Sequence, residues 1–382
     1  MAMDQRRREL LIQLTQLAQE PDSRVYAVMD GAVIDGLKMK CREADLECRA
    51  LYRHDGDPAV VLGGPWIVNP YRDWIGGEKF TPPAWATEWE SGALTLDDLN
   101  VRMNAAIAAG DPSGGGITPF DDVRNAPATI SRLDRILSIA DDKPGLVFWI
   151  GDAALTDEVL YQHLRRLNKV LVPKDQDEPN ESQAGELSVA AADPEEIPAP
   201  PRGAAHELVL FRHADANVMA QVIPALNAAQ LSRLLGPCRQ ILCAPGVEWA
   251  DGVLSVDRLE DWPPPHSGPL RFDAETMRAM NEMRMEGSRR KVMSYLREVD
   301  PGGIENLSDA ELRHRVMICE KTGKEMGLES EQAHMKWAYL MSITGGRADQ
   351  DGVAKAHFQG SYKHPDDAID DVLDELDEAL GG

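Results

Sequence analysis

The sequence predicts an α/β (mixed α+β) domain with two lobes over residues 1–262, followed by a mostly helical C-terminal region over residues 263–382. Three observations carry this. Short β-type runs alternate with helically spaced apolar residues through the first part of the chain. The run Pro263-Pro264-Pro265 then interrupts regular structure, and beyond it every periodic segment has helical spacing. A length of 382 residues suits two or three domains, and a hydrophobic fraction of 43% supplies a sizeable core.

Taken in order, the apolar residues Leu10, Leu11, Leu14, Leu17 and Ala18 recur at helical spacing and predict an N-terminal helix. The β-type run 25–29 ends at Asp30-Gly31, helical spacing fills 33–44, and further strands are expected at 48–52, 59–62 and 66–68. Residues 70–127 are harder to assign, being rich in Pro and Gly, with a helix-like piece near 96–109 and a flexible turn at Gly114-Gly115-Gly116. A helix over 128–140, a buried strand over 145–150 and a helix over 156–167 follow, the last capped by Thr156 and Asp157. Residues 169–173 are strand-like. Residues 174–205 lack aromatics and are rich in Pro, Ala and acids, so a disordered excursion is expected there.

A strand is expected at 207–212, a helix broken at Pro224 over 216–235 and stopped by Gly236-Pro237, and strands at 239–243 and 253–256. Helices are expected at 274–299, 308–326, 331–343 and 365–380, the last with Ile369, Val372, Leu373, Leu376 and Leu380 on one face.

The net charge of −24 argues against nucleic acid and anionic membranes, which need clustered cations; Arg6-Arg7-Arg8 is the one concentrated basic run. Cys41, Cys48, Cys238, Cys243 and Cys319 form no CxxC or Cys/His cluster, so reduced thiols are expected and neither zinc nor a disulfide framework. The N-terminus lacks an uninterrupted apolar stretch and a small-residue cleavage site. No segment approaches the roughly 18 apolar residues of a membrane span. The expected location is the cytoplasm.

No dinucleotide, P-loop, zinc-protease or serine-hydrolase motif occurs. The strongest candidates for chemistry are Asp30, after the first strand, and Arg212-His213-Ala214-Asp215, after a later one. A His and an Asp two apart suit acid–base work, but the same residues suit a turn and a helix cap. The acid pairs Asp97-Asp98, Asp121-Asp122, Asp141-Asp142, Asp366-Asp367 and Asp370-Asp371 lack calcium-loop spacing and suit solvated faces or helix N-termini. No catalytic, cofactor or metal residue is assigned. Trp66, Tyr71, Trp74, Phe80, Trp85 and Trp89 form either a satellite core under a loop or an exposed binding surface. The partner-contact candidates are Trp74, Trp85, Trp89, Arg212, Asp215 and Trp337. Met277, Met280, Met283 and Met285 suit either core or an adaptable groove.

Three stretches together resemble the type VI secretion adaptor proteins (Tap or TEC chaperones). The first is Val25-Tyr26-Ala27-Val28-Met29-Asp30-Gly31-Ala32 with Leu51-Tyr52-Arg53 and Gly64-Pro65-Trp66-Ile67-Val68. The second is His163-Leu164-Arg165-Arg166-Leu167. The third is Leu208-Val209-Leu210-Phe211-Arg212 with Ile223-Pro224-Ala225-Leu226, Ala229-Gln230-Leu231 and Leu235-Gly236-Pro237. The match spans about 24–243 with gaps, and by that resemblance residues 70–127 and 174–205 look like insertions where relatives are shorter. Ala214-Asp215-Ala216-Asn217 keeps only the Asp of the family's aromatic-Asp-Pro-Arg turn. The resemblance implies a non-enzymatic chaperone that holds an effector toxin in the cytoplasm and helps load it onto a VgrG or PAAR-type spike, with the helical tail contributing to the choice of cargo. An immunity or scaffold protein that binds a toxin is the alternative, and a hydrolase using Asp30, His213 or Asp215 a weaker one.

Overall fold

The structure, a computed structural model, describes residues 2–52, 57–73, 125–174, 205–348 and 364–380. Trp74, Trp85, Trp89, the helix expected near 96–109, the glycine run, nearly all of 70–127 and 174–205, and Leu376 and Leu380 as side chains lie outside that description. The fold is mixed α+β, with a six-stranded antiparallel sheet in the N-terminal half and a mostly helical C-terminal region. The chain divides into two compact units, Met1–Gly246 with Gly252–Met277, and Val247–Asp251 with Arg278–Gly382. The Pro263–Pro265 run lies within the first.

The first unit opens with helix α1 (Ala2–Gln19) and strand β1 (Arg24–Asp30), then α2 (Leu37–Glu43), β2 (Leu46–Ala50), α3 (Pro58–Gly63) and β3 (Pro65–Asp73). Next come α4 (Ala126–Ala140), β4 (Leu146–Gly151), α5 (Asp157–Arg165), β5 (Lys169–Pro173) and β6 (His206–Leu210). Helix α6 (Ala216–Val222), a 3-10 turn (Ile223–Ala225), α7 (Ala228–Leu235), β7 (Gln240–Cys243) and β8 (Leu254–Asp257) complete it. The large sheet has the order β2-β3-β1-β4-β7-β8 with every pair antiparallel. β5 and β6 form a second sheet, and Leu171 bridges Arg271 on the far side of β5.

β1 and β4 are buried along nearly their whole length, which is why they read as unbroken apolar runs rather than alternating ones. Because side chains alternate across a strand, each sends residues into two cores. Val25, Ala27 and Met29 of β1 and Leu146, Phe148 and Ile150 of β4 pack with Leu10 and Leu14 of α1, Leu37 and Cys41 of α2, and Leu133, Ile136 and Leu137 of α4. On the opposite face Tyr26 meets Tyr71 edge-on and Trp149 meets His163 of α5.

Local chemistry sets the element ends. Thr156 caps α5 through Val159 N–H at 3.2 Å, with Asp157 in its first turn. Asn227 and Gln230 form a reciprocal capping box on α7. The strand expected at 59–62 is instead α3. Asp57 accepts from Ala59 N–H at 2.9 Å and Pro58 stands in the first turn, so cap and proline turn a short apolar run helical. Helix α2 begins at Leu37, not at 33, because Gly36 is left-handed (φ 66°). Asp141 and Asp142 are a left-handed turn after α4.

The second unit contains α8 (Ala274–Val299, from residue 278), α9 (Pro301–Ile304), α10 (Asp309–Glu325), α11 (Glu331–Ile343) and α12 (Pro365–Leu380). Its core joins Val292, Leu296, Leu312, Val316, Trp337, Leu340, Ile369 and Val372. Ser308 and Glu311 form a capping box on α10, and Asp366 accepts from the N–H groups of Glu329 and Ser330 at 2.9 and 2.8 Å. Met280, Met283 and Met285 are half-buried, Met277 is exposed, and none belongs to this core. None of the five cysteines is joined in a disulfide. Among the described residues no helix is long and apolar enough to cross a membrane.

A strict local requirement lies at Gly236, which ends α7 at φ 54°, where a Cβ would overlap the buried His163 ring. Gly236→Ala is expected to lower first-unit stability by about 2–4 kcal/mol, since strain and a core clash add. Urea unfolding followed by tryptophan fluorescence measures it.

Candidate functional site

The end of β1 and the turn after β6 meet through three charged side chains. Asp30 uses Oδ1 to accept from Ala32 N–H at 2.8 Å, closing a local turn that exploits the Asp-Gly-Ala sequence. Gly31 is required here, since a Cβ would run into the carbonyl of Leu62, and its own N–H donates to Gly64 O at 3.0 Å. Oδ2 of Asp30 accepts from Arg212 Nε at 3.1 Å and Nη2 at 2.9 Å. Arg212 Nη2 also lies 3.3 Å from Asp215 Oδ2. Asp215 in turn caps α6, its Oδ1 accepting from Asn217 and Val218 N–H at 2.9 and 3.3 Å.

The side chains of Asp30 and Asp215 are 5% and 10% exposed while that of Arg212 is 45% exposed. Two inward carboxylates are therefore held by one cation whose outer half meets solvent. Burial pushes the Asp215 carboxyl up, opposed by the Arg212 charge and the cap hydrogen bonds. Tyr52 packs its ring on Gly64 beside this cluster, and burial together with the Asp30 charge raises its phenol.

His213 does not join the carboxylates. It is fully buried, its Nε2 3.0 Å from Asn168 Oδ1. Asn168 spends its Nδ2 donor on Leu51 O at 3.2 Å, so Oδ1 accepts and the His213 proton sits on Nε2. Trp149 and Phe211 meet the ring edge-on. His163 has a parallel setting, its Nε2 donating to Leu234 O at 2.8 Å. Burial pushes both imidazoles down to about 3, so they are neutral.

The arrangement is a clasp. Asp30 is engaged by one backbone N–H and Asp215 by two, both by the same guanidinium, and the nearby imidazole Nε2 is committed to an amide. Of the separate sequence candidates Asp30 and Arg212-His213-Ala214-Asp215, the fold thus brings three charged groups together and sends the imidazole inward. Asn168, which ties Leu51 to His213, was missed; a lone Asn between a helix and a strand carries no sequence signal beyond its type. Trp337, the remaining described partner candidate, is fully buried in the second unit, its Nε1–H donating to Thr322 Oγ1 at 2.9 Å. That burial makes it a packing residue and removes it from the partner-contact set. Among the described residues no group of three or more His, Cys, Asp or Glu is arranged to hold a metal ion.

Compared with family models, curated proteins and solved structures, the chain matches none.

Two outcomes follow from the clasp and the buried histidines. Arg212→Met leaves Asp30 buried without its cation and is expected to cost about 2–3 kcal/mol, somewhat below a fully buried pair because Arg212 is half-exposed; chemical denaturation reads this. The histidines have folded pKa values below the unfolded value, so their contribution is intact above about pH 6.5 and is lost as pH falls toward 3. With both present the slope approaches roughly 2.7 kcal/mol per pH unit below that point, and His213→Gln should halve it in urea titrations.

Proposed function

We propose that this chain is a non-enzymatic adaptor that binds a type VI secretion effector in the cytoplasm and helps load it onto a VgrG or PAAR-type spike. One observation carries the reading: the three stretches that resemble the adaptor family converge on one connected structure. Asp30 of the first is bound by Arg212 of the third. Asn168, directly after the second, bonds Leu51 of the first and His213 beside the third. His163 of the second bonds Leu234, and Gly236 is confined by the His163 ring. Residues that resemble a family in order also hold one another in space, as expected of a shared scaffold.

The physical means would be surface complementarity. A net charge of −24 accelerates encounter with a basic partner and makes that encounter salt-sensitive. The exposed half of Arg212 is the part of the clasp able to meet a partner, whereas Asp215 is spent on the helix cap.

Affinity capture of the full-length chain from the cells that make it, with mass spectrometry at low and high salt, tests this. A secreted toxin or a spike component is expected at low salt, with recovery falling several-fold at high salt. Capture of neither, or turnover of a small compound by the purified chain, overturns the reading.

A further inference from the structure

The helical unit holds a cleft of about 300 Å³ between α8, α9, α10 and α11. That volume falls at the small end of ligand sites. Leu296, Ile304, Leu312, Ala338 and Met341 form its walls, all of them buried residues. Gly345 and Gly346, both left-handed, border it with open space where their side chains would be. The polar groups at this border are already engaged: Ser342 Oγ donates to Asp300 at 2.6 Å, and the two glycine N–H groups donate to Ser342 and Met341 carbonyls.

Among the described residues one charged side chain lines the cleft. Arg315 is exposed, one turn from the exposed Ile318 on α10, and forms no ion pair or hydrogen bond among the described residues. The charged group that it influences, Glu311, is already bound to Ser308 in the capping box. In a chain of net charge −24, where most cations of this unit are paired, a lone guanidinium over an apolar cleft is a specific feature. An apolar body satisfies the walls, and a single anion satisfies the rim.

We propose that this cleft binds a small hydrophobic monocarboxylate, its apolar chain between α10 and α11 and its carboxylate on Arg315. Charge and shape both select that class: a cationic amphiphile meets the wrong sign, and a neutral one leaves the guanidinium unused. This site is separate from the clasp and does not rest on the adaptor reading.

The probe is decanoate, titrated calorimetrically into the full-length chain at neutral pH beside decan-1-ol and decyltrimethylammonium. Decanoate is expected to bind saturably and about tenfold tighter than decanol, with the cation weakest. Arg315→Ala should remove the preference for decanoate while leaving decanol binding unchanged. Ile318→Glu, an exposed substitution that sets a carboxylate beside Arg315, should weaken decanoate at least about tenfold. Ala338→Phe, checked for an unchanged Tm, should reduce all binding by filling the cleft. Absence of saturable decanoate binding, equal affinity for the three amphiphiles, or an Arg315→Ala variant that keeps the preference overturns the proposal.

Discussion

The first unit depends on a pair of strands that has no solvent-facing side. β1 and β4 lie side by side near the middle of the large sheet with almost every residue buried. Each fully buried large apolar side chain contributes on the order of 1.5–3 kcal/mol, so both faces have to be covered for the pair to exist. That requirement recruits α1, α2 and α4 to one face and α5 with the Trp149, His163 and His213 layer to the other. The two histidines of that second layer each place Nε2 against an acceptor, Leu234 O and Asn168 Oδ1, whereas Trp149 Nε1 and His213 Nδ1 are buried without a hydrogen-bond partner among the described residues.

The same constraint explains why charge collects at the strand ends. A strand buried on both faces has its first chance to place a carboxylate at its terminus, and β1 does so at Asp30. Arg212 reaches it across 182 residues of sequence. The pair ties the end of the large sheet to the turn that follows β6 and starts α6. One half-exposed guanidinium thus holds a strand terminus and a helix cap together. Such a site is built for rigidity and offers a partner only its outer rim.

In the helical unit, helical spacing marked the elements well, since each amphipathic face meets the core around Trp337. Its caps were also legible: Ser308 and Glu311 three residues apart are a sequence signature that the structure reproduces. What an aromatic does was not legible. Trp337 has the composition of an interface residue, yet it fills the centre of this unit, and Arg315, an unremarkable helix residue, lies at the cleft.

By itself the sequence determined what depends on neighbours in the chain. The double burial of β1 and β4 is written in uninterrupted apolar runs, the break in the 216–235 helix in Pro224, its end in Gly236, and the start of α5 in Thr156. Where two local signals competed, as at Asp57-Pro58 before a short apolar run, the cap prevailed over the strand reading. Tertiary structure alone decided which remote groups share a space: Asp30 with Arg212, Asn168 with His213, and Trp337 with Thr322. Periodicity and capping act over a few residues, whereas these pairings arise only after the layers close and desolvate both partners together.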